Sequence, residues 1–518
     1  MARQATRSAA TSFSTAKVNA MVTSLLSDGR ANARRRWLKL VAARVTEHRP
    51  DLADVLVEVL GELPTDEDSL LTAMSIGEIG VCYEAFTAES DRTSRKASGQ
   101  FFTPDDAAEF MAKQADSFPA GIWLDPCCGV GNLAWHLAHR SRSRASFVRD
   151  RLVLVDKDGT ALRTAVAVLA AEFLDVDDVD GVRKLWSRAT SVDYLRSRRI
   201  PEHDFVIVNP PYARTEIRPG FRTAATRDLF SYFMEKVATT SRGFISVTPA
   251  SYLSAPKYQV LRDLINETMT AGDIYVFDNV PDTLFRGYKY GSNNTSKTNF
   301  VRAAITVCSP SQSDWRETPI LRWKSVSRAR MLRDAHHFLS PRQFGPAGEW
   351  AKVPADLQGE WTMMNLAEDT LSDLTVAGPT DYSLTVALTP RYYISAAYRN
   401  LSRSSKVVLY FVDEVDRDRA AVVINSSAAY LWWRALDGGV TLPRRVLNSL
   451  PVPDITVPSA VVSLLRSTEE SSLVTKLNAG VINENVKRPR EVVDAANRVV
   501  FGNSVDSEAL YSEDMFTG

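Results

Sequence analysis

Between residues 18 and 59, apolar positions return every three or four places: Met21 and Leu25, then Trp37, Leu40, Val41 and Val45, then Leu52, Val55, Leu56 and Val59. That spacing lines one face of a helix and predicts a helical N-terminal region, with one more helix over 75–86. From about residue 120 the pattern changes. Short apolar runs, Ile122–Leu124, Leu152–Val155 and Phe205–Val208, alternate with stretches of helical period such as 160–174. Strands alternating with helices predict an α/β unit built on a parallel sheet. The alternation stops near Ser309, after which Val407–Phe411 reads as a strand and 428–434 as an apolar helix.

The run Phe205–Val208 ends at Asn209-Pro210-Pro211-Tyr212. Prolines cannot continue a ladder, and a residue before proline is held extended, so Asn209 belongs at the strand's C-terminal edge. Its side-chain oxygen and the Pro210 carbonyl are two fixed acceptors beside the flat face of Tyr212. Such a set suits a planar ring bearing an NH2 group. Upstream, a strand ending in Asp125-Pro126, a turn carrying Gly129 and Gly131, and a helix to about His139 make the first βα turn of a doubly wound sheet. Asp125 suits an ammonium or an organising hydrogen bond, and Asp156, closing the next strand, suits both hydroxyls of a ribose. The third glycine of the dinucleotide fingerprint is missing, so one adenosine with a charged tail fits better. Asp193-Tyr194 suits an adenine amine and ring, or equally an ordinary surface acid. In Phe101-Phe102-Thr103-Pro104, Thr103 is the expected N-cap of a helix whose first turn holds Asp105 and Asp106. A loop at that place also suits closure over a cofactor.

In this order the motifs at Phe101–Pro104, Asp125–Gly131, Asp156, Asp193-Tyr194 and Asn209–Tyr212 resemble the gamma-class adenine-specific DNA methyltransferases of restriction–modification systems, over about residues 75–308. The resemblance implies an α/β fold: a Rossmann-like methyltransferase sheet (96–308) with an N-terminal helical domain (1–95). It further implies a C-terminal α+β target-recognition domain (309–458) and a helical tail (459–518). It implies S-adenosyl-L-methionine as cofactor, held by Phe102, Thr103, Asp125, Gly129, Gly131, Asp156, Asp193 and Tyr194. Asn209, Pro210, Pro211 and Tyr212 would be the catalytic motif, acting on an adenine flipped out of double-stranded DNA and stacked between Tyr212 and Phe285. Residues 288–298 intervene between the family's aromatic loop and its next strand, which makes Phe300 the second candidate for that ring; Phe285 is preferred because it lies on a loop. DNA contacts are expected from Arg286, Lys289 and Lys297 in this insertion, and from Arg391, Tyr393, Arg399 and Arg403 in the C-terminal region. A separately encoded restriction endonuclease or defence complex is the partner implied.

Composition narrows the picture without changing it. The 518 residues carry 62 basic and 62 acidic side chains, so no global field announces nucleic acid and any DNA surface is local. Arg34-Arg35-Arg36 reads as a solvated helix face, with a phosphate contact as the alternative, and the same holds for Arg322, Lys324, Arg328, Arg330 and Arg333. Four cysteines, Cys127 and Cys128 adjacent, make no disulfide framework, and no apolar run approaches the roughly 20 residues that span a bilayer. A cytoplasmic protein without a membrane partner is expected. Neither the cysteine pair nor His136 and His139 has ligand spacing, so no metal is expected. Two rivals stand: the same fold acting on rRNA or a protein glutamine, and a DNA-specificity subunit with weak catalysis.

Overall fold

The computed structural model describes residues 15–27, 29–64, 70–90, 103–285, 289–290, 293–294, 301–390, 392–478 and 480–517. The helical periodicity is realised in α1 (Thr15–Leu26), α2 (Arg30–His48), α3 (Ala53–Leu60) and α4 (Ile76–Ser90). After α5 (Asp105–Gln114) come β1 (Trp123–Asp125), α6 (Asn132–Arg140), β2 (Leu152–Asp156), α7 (Gly159–Phe173), α8 (Val179–Ser187) and β3 (Ala189–Ser191). The chain continues through β4 (Phe205–Val208), α9 (Leu229–Thr240), β5 (Gly243–Pro249), α10 (Gln259–Thr268), β6 (Gly272–Phe277), β7 (Ala303–Cys308), β8 (Trp315–Leu321) and β9 (Ser340–Pro341).

These strands form one nine-stranded sheet in the order β9-β8-β6-β7-β5-β4-β1-β2-β3. β1 lies parallel to β2 and to β4, while β7 runs antiparallel between β5 and β6. The chain winds outward from β1 to β3 and then returns to β4 on the other side of β1. At such a reversal the C-terminal ends of neighbouring strands open into a crevice. Trp123 pairs with Phe205 and Leu124 with Val206, so Asp125 and the Asn209 motif emerge at that same edge. Both strands are buried throughout, as expected where helices cover both faces of a parallel sheet.

The core on one face runs unbroken from Val18 and Trp37 through Leu133 and Leu169 to Phe277; the other face gathers Val206, Phe230, Leu261 and Ile274. The helices before residue 95 therefore share one core with the sheet. Trp37 Nε1 donates to Thr164 Oγ1 of α7 at 2.9 Å, and Arg49 donates to the carbonyls of Ala171 and Leu174. The boundary expected at 308 also falls inside the sheet, because β8 pairs in parallel with β6 and β9 pairs antiparallel with β8.

A second body follows. β10 (Thr375–Val376), β11 (Tyr382–Ala387), β12 (Ala396–Ala397) and β13 (Lys406–Phe411) form a four-stranded sheet packed on α11 (Glu414–Asn425) and α12 (Ser427–Leu436). Residues after 458 are not a purely helical tail: a hairpin pairs Leu473–Asn478 with Val481–Val486, and α13 (Arg490–Phe501) supplies Val492, Ala496 and Phe501 to this second core. The chain then returns to the first body, where Phe516 joins the core and the Met515 N–H donates to the Arg322 carbonyl at 3.0 Å.

Buried Asp278, just after β6, clasps the two bodies. It receives Arg322 Nε at 3.1 Å and Arg434 Nη1 of α12 at 2.8 Å, with Arg302 Nε also 2.8 Å away. Burial alone would push its carboxyl up; the three guanidinium groups bring it below the usual carboxylate range. Among the described residues no helix is long and apolar enough to cross a membrane.

Candidate active site

A cleft opens at the β1/β4 reversal, holding about 1190 Å³ of empty space with its open mouth included. Its floor is the turn from β1 into α6. Gly129 and Gly131 have φ of +54° and +95°, in the left-handed region that side chains disfavour. A Cβ on Gly131 would stand 3.0 Å from Ala165 Cβ of α7, so this glycine serves close packing of turn against helix. A Cβ on Gly129 would meet nothing within 4 Å, and the residue lines the cleft, so here the missing side chain leaves room for a ligand.

Two acids face this floor. Asp125 is 1 % exposed; burial pushes its carboxyl up to about 8, the Cys127 N–H opposes that, and the nearby Asp156 adds to it. Asp156 is likewise raised by burial, although its Oδ2 accepts the Gly129 N–H and its Oδ1 the Asp158 N–H, each at 2.8 Å. A carboxylate oxygen keeps a second lone pair after one such bond, so Asp156 both shapes the turn and retains acceptor capacity. Two desolvated acids at one cleft are stabilised by a cation and by hydroxyl donors. The buried Asn132 Oδ1 also lines the cleft, without a hydrogen-bond partner among the described residues. Asp193 and Tyr194 close the end below β3: Tyr194 is buried and stacks on Phe233 of α9 with centroids 5.4 Å apart. The Asp193 carboxylate takes the Leu195 N–H and lies 3.7 Å from Arg218, which also lines the cleft.

On the β4 side, Asn209 Nδ2 donates to Thr103 Oγ1 at 2.9 Å. Thr103 is thus not the N-cap expected of it. α5 starts at Asp105 with Pro104 before it, and the hydroxyl is turned to the Asn209 carboxamide instead. With the NH2 end held there, the acceptor end of the carboxamide points elsewhere. Tyr212 is fixed by its hydroxyl, which donates to the Val247 carbonyl at 2.8 Å.

Phe285 does not stand across a gap from Tyr212. The two rings meet edge to face, centroids 5.9 Å apart, whereas a base between parallel rings needs about 7 Å, twice a van der Waals separation. Arg328 explains the placement. Its guanidinium donates to the Thr283 and Leu284 carbonyls at 2.9 Å and forms a fork with Asp106, seating Phe285 in the core at 2 % exposure.

Phe102, Arg286, Lys297, Phe300 and Arg391 lie outside the described residues, as does the Lys289 side chain. Arg399 and Arg403 are engaged within the second body: Arg399 Nη1 pairs with Glu470 at 2.9 Å, and Arg403 Nη1 donates to the Glu484 carbonyl at 3.0 Å. Tyr393 is half-buried, its hydroxyl pushed up by burial. Of the N-terminal basic run, Arg34 pairs with Asp158 at 2.8 Å and Arg35 with Glu62 at 2.8 Å. His136 pairs with Asp105, and His139 stacks on Trp135.

One wall was not anticipated. Tyr83 and Thr87 of α4 line the cleft, and the Tyr83 hydroxyl donates to Asp158 Oδ2 at 2.8 Å while Arg34 holds Oδ1. The available signal was Tyr83 on a helix directly preceding the Phe101–Pro104 motif.

Residues 75–239 match the profile of the N-6 DNA Methylase family. The Type II methyltransferase M.BanIII of Aneurinibacillus aneurinilyticus is 26% identical over 258 residues, 42% of this chain and 43% of that protein, so the chain spans less than half the length of this curated relative. Among solved structures, a modification subunit of a putative type I restriction enzyme from Vibrio vulnificus YJ016 superposes with a TM-score of 0.36 and 13% identity, covering 57% of this chain and 70% of that one. The DrdV–DNA complex gives a TM-score of 0.42 and 11% identity, covering 76% and 52%.

Proposed function

Taking residues 75–239 as an N-6 DNA methylase segment, we propose that the chain transfers a methyl group from S-adenosyl-L-methionine to the exocyclic amine of an adenine in double-stranded DNA. The observation that carries the reading is the convergence of Asn209 and Asp125 at the β1/β4 reversal: an amine-binding motif opens into a cleft floored by Gly129 and lined by two buried acids. Asp156 would take the ribose hydroxyls, Asp125 and Asn132 Oδ1 the polar and cationic tail, and Asp193 with Tyr194 and Phe233 the adenine of the cofactor. When bound, that cofactor supplies an electrophilic methyl on a sulfonium and departs as a neutral thioether.

The chain's own part is orientation. Asn209 Oδ1 and the Pro210 carbonyl would each accept one hydrogen of the target amine, drawing its nitrogen out of conjugation and directing the lone pair into the cleft. Fixed dipoles of this kind supply a few kcal/mol without reorganising during reaction, and fixed placement adds a proximity contribution. Flipping the base costs a few kcal/mol. Stacking on Tyr212 offsets this by roughly 1–3 kcal/mol, and Phe285 would have to swing from its packed position to cover the other face. The printed name of the curated relative, a Type II methyltransferase, supports a modification enzyme; duplex DNA is the proposed substrate, and a separately encoded restriction endonuclease or defence complex the proposed partner. Incubation with S-adenosylmethionine labelled in its methyl, followed by digestion and chromatography, tests the reading. Label in N6-methyladenine from duplex DNA is expected. Label confined to rRNA or protein glutamine, with none in DNA, overturns it.

A further inference from the structure

We infer that Thr103, Cys127 and Asn132 form a ring of hydrogen bonds that positions Asn209 for the reaction, an inference resting on the methyl-transfer reading above. Asn209 is gripped at both of its polar ends by the cofactor side of the cleft. The Cys127 thiol donates to its backbone carbonyl at 3.2 Å, and its own Nδ2 donates to Thr103 Oγ1 at 2.9 Å. The ring closes because buried Asn132 donates through Nδ2 to the Thr103 carbonyl at 2.8 Å, and Cys127 and Asn132 belong to the same β1–α6 turn.

Each contact removes one freedom. The proline after Asn209 already confines its backbone to extended values, which leaves the tilt of the Asn209–Pro210 peptide and the torsions of the carboxamide. Cys127 fixes the tilt and so also aims the Pro210 carbonyl. Thr103 fixes the carboxamide, turning its acceptor end to where the amine must lie. Burial pushes the Cys127 thiol well above its ordinary range, so it remains a protonated donor at neutral pH. Thr103 and Asn132 are buried, at 4 % and 5 % exposure, and Cys127 is half-buried, so these hydrogen bonds are partly shielded from competition with water. The turn that receives the cofactor thereby also sets the two acceptors of the amine. Thr103, expected as the N-cap of α5 and by resemblance as a cofactor contact, accepts the Asn209 hydrogen bond at its hydroxyl.

The test compares Thr103→Val with Thr103→Ser, and Cys127→Ala with Cys127→Ser, in the full chain. For each, kcat and the DNA KM are measured alongside the S-adenosylmethionine Kd by calorimetry. A misplacement of about 1 Å costs up to 100-fold in rate, so the Val and Ala variants should lose about 10- to 100-fold in kcat. The cofactor Kd of Cys127→Ala should stay within about threefold of wild type, any loss of cofactor affinity in Thr103→Val should be smaller than its loss in kcat, and the Ser variants should recover most of the rate. Retention of kcat within about threefold in both the Val and Ala variants, or a loss matched by equal loss of cofactor affinity and not recovered by Ser, overturns the inference. If the wild type methylates no DNA, the reading above fails separately. Crystal structures of wild type and Thr103→Val then decide the positioning claim alone: a carboxamide turned from its wild-type orientation in the variant upholds it, and an unchanged one overturns it.

Discussion

Asp125 carries a pH-dependent consequence at the scale of single residues. Its carboxyl is raised by burial to about 8, so between the ordinary aspartate value of 3.8 and that point the folded state binds more protons than the unfolded one. Stability therefore falls as pH rises through this window. In the cofactor-free protein, Asp125→Asn should raise the thermal midpoint relative to wild type, by an amount that grows from pH 5 to pH 8, while weakening S-adenosylmethionine binding. Melting curves across that range check it, and parallel profiles would contradict it. The two glycines of the turn separate in the same spirit. Gly131→Ala must place a methyl against Ala165 at positive φ and should destabilise by about 1–3 kcal/mol. Gly129→Ala carries the positive-φ strain without the clash, so its larger effect should be on cofactor affinity, measurable by calorimetry beside denaturant melts. Asn209, Asp125 and the glycines were legible because proline, strand periodicity and turn chemistry constrain the chain locally. Phe285 was not: what seats it is Arg328, more than forty residues onward, held in turn by Asp106.

At the scale of elements, β1, β2 and β4 could be drawn from apolar runs alone, since strands buried on both faces read as unbroken hydrophobic stretches. β8 was hidden: in Trp315–Leu321 the charged pair Arg316-Glu317 and then Thr318-Pro319 interrupt any apolar run, and its pairing with β6 depends on a partner about forty residues earlier. The basic stretch beginning at Arg322 looked like a solvated face because its acids, Asp278 and Asp106, lie far away in sequence. Asp278→Ala should therefore cost about 3–5 kcal/mol, the usual penalty for removing one partner of a buried charge cluster. It leaves Arg322 and Arg434 buried without their carboxylate. Because the native carboxyl lies below its ordinary value, the stabilisation is present at neutral pH and fades as pH falls below about 4. Urea melts at pH 7 and at about pH 2 check both statements, and a difference between variant and wild type that does not shrink in acid would contradict them.

For the whole molecule, the N-terminal helices are a wall of the cleft. They share the core of the first body through Trp37 and reach Asp158, which lines the cleft, through Arg34 and Tyr83. The second body is clamped to the sheet at Asp278, on the flank of the sheet away from β3. Asn209 lies between these two flanks, at the end of β4 beside β1. The central claim, methylation of adenine in DNA at Asn209, is tested most directly by modified-base sequencing of DNA from cells expressing the chain, beside cells expressing Asn209→Ala. N6-methyladenine in one short sequence context is expected with the wild type, and its loss with the variant. Unmodified adenine throughout, from a folded protein that binds S-adenosylmethionine, would contradict it.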